Sequence, residues 1–204
     1  MGLWSCLYND RSSKAQQPRK TIIILGDEGC GKSCQVSVFT KDDFAINRLP
    51  VPSTSNISYI EIDGKMIELI LREPAGLDDV TRLNSLSGNK KDAVLLCYSI
   101  DNPCSFRNAS YKWAPEINKR CPDVPIVLVG NKKDLQNDKY TICELGTLHE
   151  EPIGWQAGQK MAEKINAFSY MECSAKTREG IRELFETAAR TAVLKKKCPT
   201  VVRK

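Results

Sequence analysis

Apolar residues in this chain come in short, dense runs. The runs at 21–25, 93–99, 125–129 and 169–173 have little polar alternation, the character of strands buried on both faces of a parallel sheet. Two further runs, 57–62 and 66–71, flank Asp63-Gly64, a two-residue turn signal that predicts a β-hairpin. Between the runs the spacing turns helical. A helix is predicted over 33–39. Asn102-Pro103 opens another, with Phe106, Trp113 and Ile117 on one face and a kink at Pro115. A third spans 154–165. In the last, capped by Thr177, residues Ile181, Leu184, Phe185, Ala188 and Ala192 recur on one side. Residues 40–56, with Pro50 and Pro52, read as a long loop, and Glu73-Pro74-Ala75-Gly76 breaks a strand ahead of 78–86. The fold class that follows is α/β: a doubly wound, mostly parallel six-stranded sheet with helices on both faces. Ligands of such sheets sit at the carboxyl ends of the strands.

Composition adds the domain plan. With 204 residues and 41% hydrophobic content, the chain suffices for one core, placed at 20–194. Residues 1–19 are polar and aperiodic and read as a flexible extension; 195–204 form a basic tail. The net charge of +5 gathers at the ends, in Arg11, Lys14, Arg19 and Lys20 and in Lys195-Lys196-Lys197, Arg203 and Lys204. That distribution suits an anionic membrane surface or plain solvation, and excludes a continuous nucleic-acid groove. Nine cysteines without a C-x-x-C pair point to reduced thiols in a cytoplasmic setting, and the single histidine gives no zinc pattern. No run is long enough to span a bilayer.

The chemistry concentrates where the first strand ends. Gly26-Asp27-Glu28-Gly29-Cys30-Gly31-Lys32-Ser33 is a G-x-x-x-x-G-K-S loop between strand and helix. Backbone N–H groups of such a loop converge on an anion, a lysine neutralises the β- and γ-phosphates, and the serine hydroxyl ligates Mg²⁺. A second signal follows the strand at 125–129, where Asn131-Lys132-Lys133-Asp134 places a carboxylate able to accept two N–H groups of guanine, a pattern adenine lacks. Ser174-Ala175-Lys176 follows the final strand and adds a backbone N–H toward the guanine carbonyl.

With these motifs in order, each after a strand, the chain resembles the Ras-type small GTPases, and more narrowly the Rho family, over roughly residues 20–194. The narrower resemblance rests on the stretches 129–135 and 170–177, and on 136–151, similar to the helical insert of Rho proteins. It implies GTP and Mg²⁺ as ligands, with Asp27, Gly29, Gly31, Lys32, Ser33, Cys34 and Gly76 around the phosphates, Ser33 on the metal and Phe44 against the base. Asn131, Lys132, Asp134, Ser174, Ala175 and Lys176 would surround guanine. Cys34 is either a redox-sensitive thiol, as its counterpart can be in Rho proteins, or plain core. Rho-type effector and regulatory proteins are the implied partners of a monomer.

Four positions depart from the family pattern. Glu28 replaces a glycine where an arginine finger approaches, Val51 a metal-binding threonine, Glu73 an aspartate, and Leu77 the glutamine that orients the attacking water. Ser53 or Thr54 stands near enough in sequence to replace the lost hydroxyl. No intact catalytic set is left. The implied function is a GTP-bound signalling protein with very slow hydrolysis, acting in cytoskeletal, polarity or membrane-trafficking control. The alternatives are a pseudo-GTPase interaction module, or a switch that still hydrolyses. Rho proteins commonly end in a prenylated C-a-a-X box, but six residues follow Cys198 here. Peripheral attachment to plasma membrane or endomembranes would then need acylation of Gly2, Cys6 or Cys198 together with the basic run, or the tails are merely solvated.

Overall fold

The computed structural model describes residues 18–41, 55–74 and 90–194. Six strands form one sheet in the order β2-β3-β1-β4-β5-β6. They are β1 (Arg19–Gly26), β2 (Ser55–Ile62), β3 (Lys65–Arg72), β4 (Ala93–Ser99), β5 (Ile126–Asn131) and β6 (Ser169–Glu172). All neighbours are parallel except β2 and β3, the expected hairpin. Its turn residues Asp63 and Gly64 have φ of 51° and 75°, the left-handed pair that a two-residue hairpin turn demands.

Strand composition decides the layering. Alternate residues of the buried strands feed two cores: Ile22, Ile24, Leu95, Cys97, Val127 and Val129 point to one side, and Ile23, Leu25, Val94, Leu96, Ile126 and Leu128 to the other. Helices α1 (Lys32–Lys41) and α6 (Ile181–Leu194) cover the first side, where Phe39 stacks on Phe185 with ring centroids 4.0 Å apart. The second side is covered by α2 (Pro103–Asn108), α3 (Ala114–Arg120) and α5 (Trp155–Lys164), with Trp113 fully buried among them. Strands β1, β4 and β5 are therefore apolar on both faces, which is why their runs show no alternation.

Two local expectations change. Pro115 does not simply kink its helix. The strain is taken up just before it by a π turn, Ala109–Trp113, in which the Ala114 N–H reaches back to the Ala109 carbonyl. Proline has no N–H to donate and its ring crowds the preceding turn, so a wider turn relieves both. Thr177 is not the cap of the last helix, which starts four residues later at Ile181. Gly180 intervenes at φ 71°, and a Cβ there would stand 2.6 Å from the Glu172 carbonyl. The chain has to turn sharply at that glycine before a helix can begin. The insert is helical as α4 (Lys139–Thr147), begun by Asp138, whose carboxylate accepts the Thr141 N–H at 2.9 Å.

Candidate functional site

The sheet order reverses at β1, and the loop that leaves its carboxyl end wraps onto the start of α1. Gly26 makes that exit possible. Its φ is 139°, and a Cβ would lie 2.1 Å from the Cys97 carbonyl of the neighbouring strand. A Cβ on Gly31, at φ 92°, would stand 3.5 Å from the Asn131 side chain, so loop and β5 lie close together. The Lys32 ammonium folds back over the loop, donating to the Gly26 carbonyl at 3.0 Å and to the Asp27 carbonyl. This is the geometry of a cationic cradle at a helix start. Glu28 is exposed on the loop crest.

At the far side of the cradle Ser33 Oγ donates to Glu73 Oε2 at 2.6 Å. The carboxyl of Glu73 is pushed up by burial, an effect the Ser33 bond and the Lys32 charge oppose. Two adjacent hard oxygens suit Mg²⁺, which keeps several waters and takes its other ligands from phosphates. The residues present thus fit the ion, with Ser33 holding it and Glu73 beside it.

The second half of the site is a cavity of about 210 Å³ lined by Gly31, Cys34, Asn131, Lys132, Asp134, Leu135, Ala175 and Lys176. Three chain segments distant in sequence meet there. Asn131 is buried and its amide is held by the protein at both ends: Nδ2 donates to the Cys30 carbonyl at 2.8 Å, and Oδ1 accepts from Cys173 Sγ at 3.1 Å. It ties the base side to the phosphate loop. Lys132 has φ 60° and reaches Asp101 at 3.1 Å, laying its stem along the cavity wall. Asp134 accepts from Ser174 Oγ at 2.5 Å, and Ser174 Oγ in turn accepts the Thr177 N–H at 3.1 Å. That relay fixes the carboxylate's orientation, with Lys176 Nζ 3.9 Å away.

The sequence motifs thus converge on one crevice, with the glycine loop, Lys32, Ser33 and Glu73 at the end expected to take phosphate. Cys34 proves to be a partly exposed member of the cavity wall rather than plain core. Phe44, Val51, Ser53, Thr54, Gly76 and Leu77 lie outside the described residues. Sequence reasoning missed the floor residue Leu135, the use of the Ser174 hydroxyl on Asp134, and a pair of donors on Asp27: Asn108 Nδ2 at 2.6 Å and Trp113 Nε1 at 2.8 Å. Only the acid within the loop hinted at the last. A family model described as Ras family matches residues 21–194.

Proposed function

The chain belongs to the Ras family of GTP-binding small GTPases, and on that premise we propose that it is a Rho-type member that holds GTP and barely hydrolyses it. One contrast carries this reading. The base cavity and the phosphate loop are assembled, whereas the residues around the γ-phosphate depart from the pattern that hydrolysis needs. Glu28 stands on the loop crest, Glu73 bonds directly to Ser33, and Leu77 cannot hydrogen-bond a water. Mg²⁺, when bound, neutralises charge on the phosphates. The rest falls to the protein: Lys32 and the loop amides bind phosphate, while Asp134, oriented by Ser174, selects guanine. The helical insert α4, with Tyr140 and Ile142 exposed, supports the Rho-type assignment and a role in contacting effector or regulatory proteins.

Identification of the co-purifying nucleotide and single-turnover phosphate release test the reading. GTP should dominate, release should be slower than in ordinary members, and an activating protein whose arginine finger is worth about 10³–10⁵ in rate to an ordinary member should accelerate it little. Leu77→Gln combined with Glu28→Gly should accelerate it. Fast release by the wild type, or no gain in the double variant, refutes slow hydrolysis. Absence of any guanine nucleotide at saturating concentration would favour the interaction-module alternative.

Peripheral membrane attachment is the second part of the proposal. Helix α6 ends on exposed Val193 and Leu194, directly ahead of the basic run at 195–197. No helix among the described residues is long and apolar enough to cross a membrane. Each lysine near an anionic leaflet contributes about 1 kcal/mol, and one acyl chain on Gly2, Cys6 or Cys198 adds marginal binding. Fractionation of wild type, Gly2→Ala, Cys6→Ser and Cys198→Ser locates the anchor. A wholly soluble wild type removes this part.

A further inference from the structure

Asp27 has its main-chain carbonyl bound by Lys32 and both carboxylate oxygens bound by the α2 side of the fold. Oδ2 accepts from Asn108 and Oδ1 from the indole N–H of Trp113, a ring with no exposed surface. Five residues separate these donors. On an α-helix that spacing would put them roughly 140° apart, since each residue advances the helix by about 100°. The π turn at Ala109–Trp113 is wider, and it brings both donors onto one side, against one carboxylate. The irregularity that precedes Pro115 is thus also what assembles a two-pronged clamp.

We propose that Asn108 and Trp113 are positioning residues for the phosphate loop, mounting it on the π turn through Asp27 so that its geometry, and the rate at which nucleotide leaves it, depend on that helix. The role in nucleotide release rests on the nucleotide-binding reading of the site. The clamp itself does not. Both bonds end on a carboxylate, and hydrogen bonds to charged groups are the stronger kind. The loop is also fastened by the Asn131 bond to the Cys30 carbonyl and, where it enters α1, by the bond from Ser33 to Glu73. Asp27 is the fastening that ties it to the π turn.

The test uses the full chain with Asn108→Ala, Trp113→Phe, Asn108→Asp, and Asn108→Asp combined with Asp27→Asn. Amide hydrogen exchange is followed over residues 28–33, with β4 and β5 as internal reference, and dissociation of a fluorescent guanine nucleotide is followed in parallel. Asn108→Ala and Trp113→Phe should each speed loop exchange and nucleotide release by about tenfold, leaving the reference strands unchanged. Asn108→Asp should loosen the loop further through carboxylate repulsion, and adding Asp27→Asn should restore it, because the amide and the carboxylate then simply change places. Loop exchange unchanged in all variants, a change spread equally over β4 and β5, or failure of the swapped pair to restore the loop overturns the clamp. If the wild type binds no guanine nucleotide, the proposed function falls, while loop exchange still decides the clamp. Should Trp113→Phe fail to fold, the partly exposed Asn108 carries the same test.

Discussion

Removing one oxygen, in Tyr170→Phe, should destabilise this fold more than its size suggests. Tyr170 Oη donates to Glu172 Oε1 at 2.6 Å, so the Tyr98 hydroxyl, also 2.6 Å away, is the one that donates to Tyr170. All three side chains are buried. The phenylalanine ring keeps the packing, including the contact with the Trp155 ring 4.7 Å away. Lost are a bond to a carboxylate, worth about 1.5–3 kcal/mol, and a neutral bond of about 0.5–1.5 kcal/mol, which leaves Tyr98 without its acceptor. The sum is about 2–4.5 kcal/mol. Tyr98→Phe removes only the neutral bond and should cost about 1 kcal/mol. Urea denaturation of the three proteins at pH 8 measures both. The pH dependence is a second check. Burial is the main cause that pushes both hydroxyls above tyrosine's ordinary 10.0. Above pH 10 the unfolded chain loses these protons and the folded one keeps them, so the stability they supply is present below 10 and lost as pH rises. The gap between wild type and Tyr170→Phe should therefore narrow above pH 10, by at most about 1.4 kcal/mol per pH unit. A Tyr170→Phe cost under about 0.5 kcal/mol, or one below that of Tyr98→Phe, refutes the argument.

Asn131→Ala leaves the Cys30 carbonyl unpaired and should cost about 1–3 kcal/mol in denaturation, together with weakened nucleotide binding in a fluorescence titration. Gly158→Ala would set a Cβ 2.1 Å from the Tyr170 ring and should cost about 1–3 kcal/mol by overpacking, with a matching fall in melting temperature. Asp134→Asn should lower the preference for guanine over adenine nucleotides in competition binding, since an amide offers one acceptor where the carboxylate offers two. Iodoacetamide at pH 8 should modify the exposed Cys104 and Cys143 quickly and Cys34 more slowly, with guanine nucleotide protecting Cys34. Cys30, Cys97 and Cys173 should resist, because burial pushes their thiols up, Cys173 to about 12. Peptide mapping reads the result.

The sheet was legible because strands apolar on both faces leave dense runs, and Ala93–Ser99 matches its predicted bounds. The hairpin was legible because only a few residue pairs accept two successive left-handed φ values. The glycine loop was legible for a related reason, that so tight an exit from β1 needs glycines at fixed intervals, and Gly26 and Gly31 both take positive φ. What stayed hidden is tertiary. The bonds from Asn108 and Trp113 to Asp27 span 81 and 86 residues, and that from Asn131 to Cys30 spans 101, so no local pattern encodes them. The π turn was half visible. Pro115 announced a disturbance, but packing of Trp113, not proline, selects which side chains the wider turn aligns. Thr177 misled because capping residues also serve turns; here its N–H feeds Ser174 instead.

The position of α6 also bears on how the chain is made. β1 is synthesised early yet lies in the middle of the sheet, with β3 on one side and β4 on the other, so it has no neighbour until those strands emerge from the ribosome. The side of the sheet that carries Ile22, Ile24, Leu69, Leu71 and Leu95 then waits for Leu184, Phe185, Ala188, Ala189 and Ala192, the last helix described. A nascent chain stalled short of Ile181 would present that face to solvent as a broad oily plate. Such a chain is chaperone cargo and aggregation seed alike. Closure of this domain consequently waits for α6, and truncations that reach into α6 should appear in cells as degraded or insoluble material rather than as a folded protein of reduced activity.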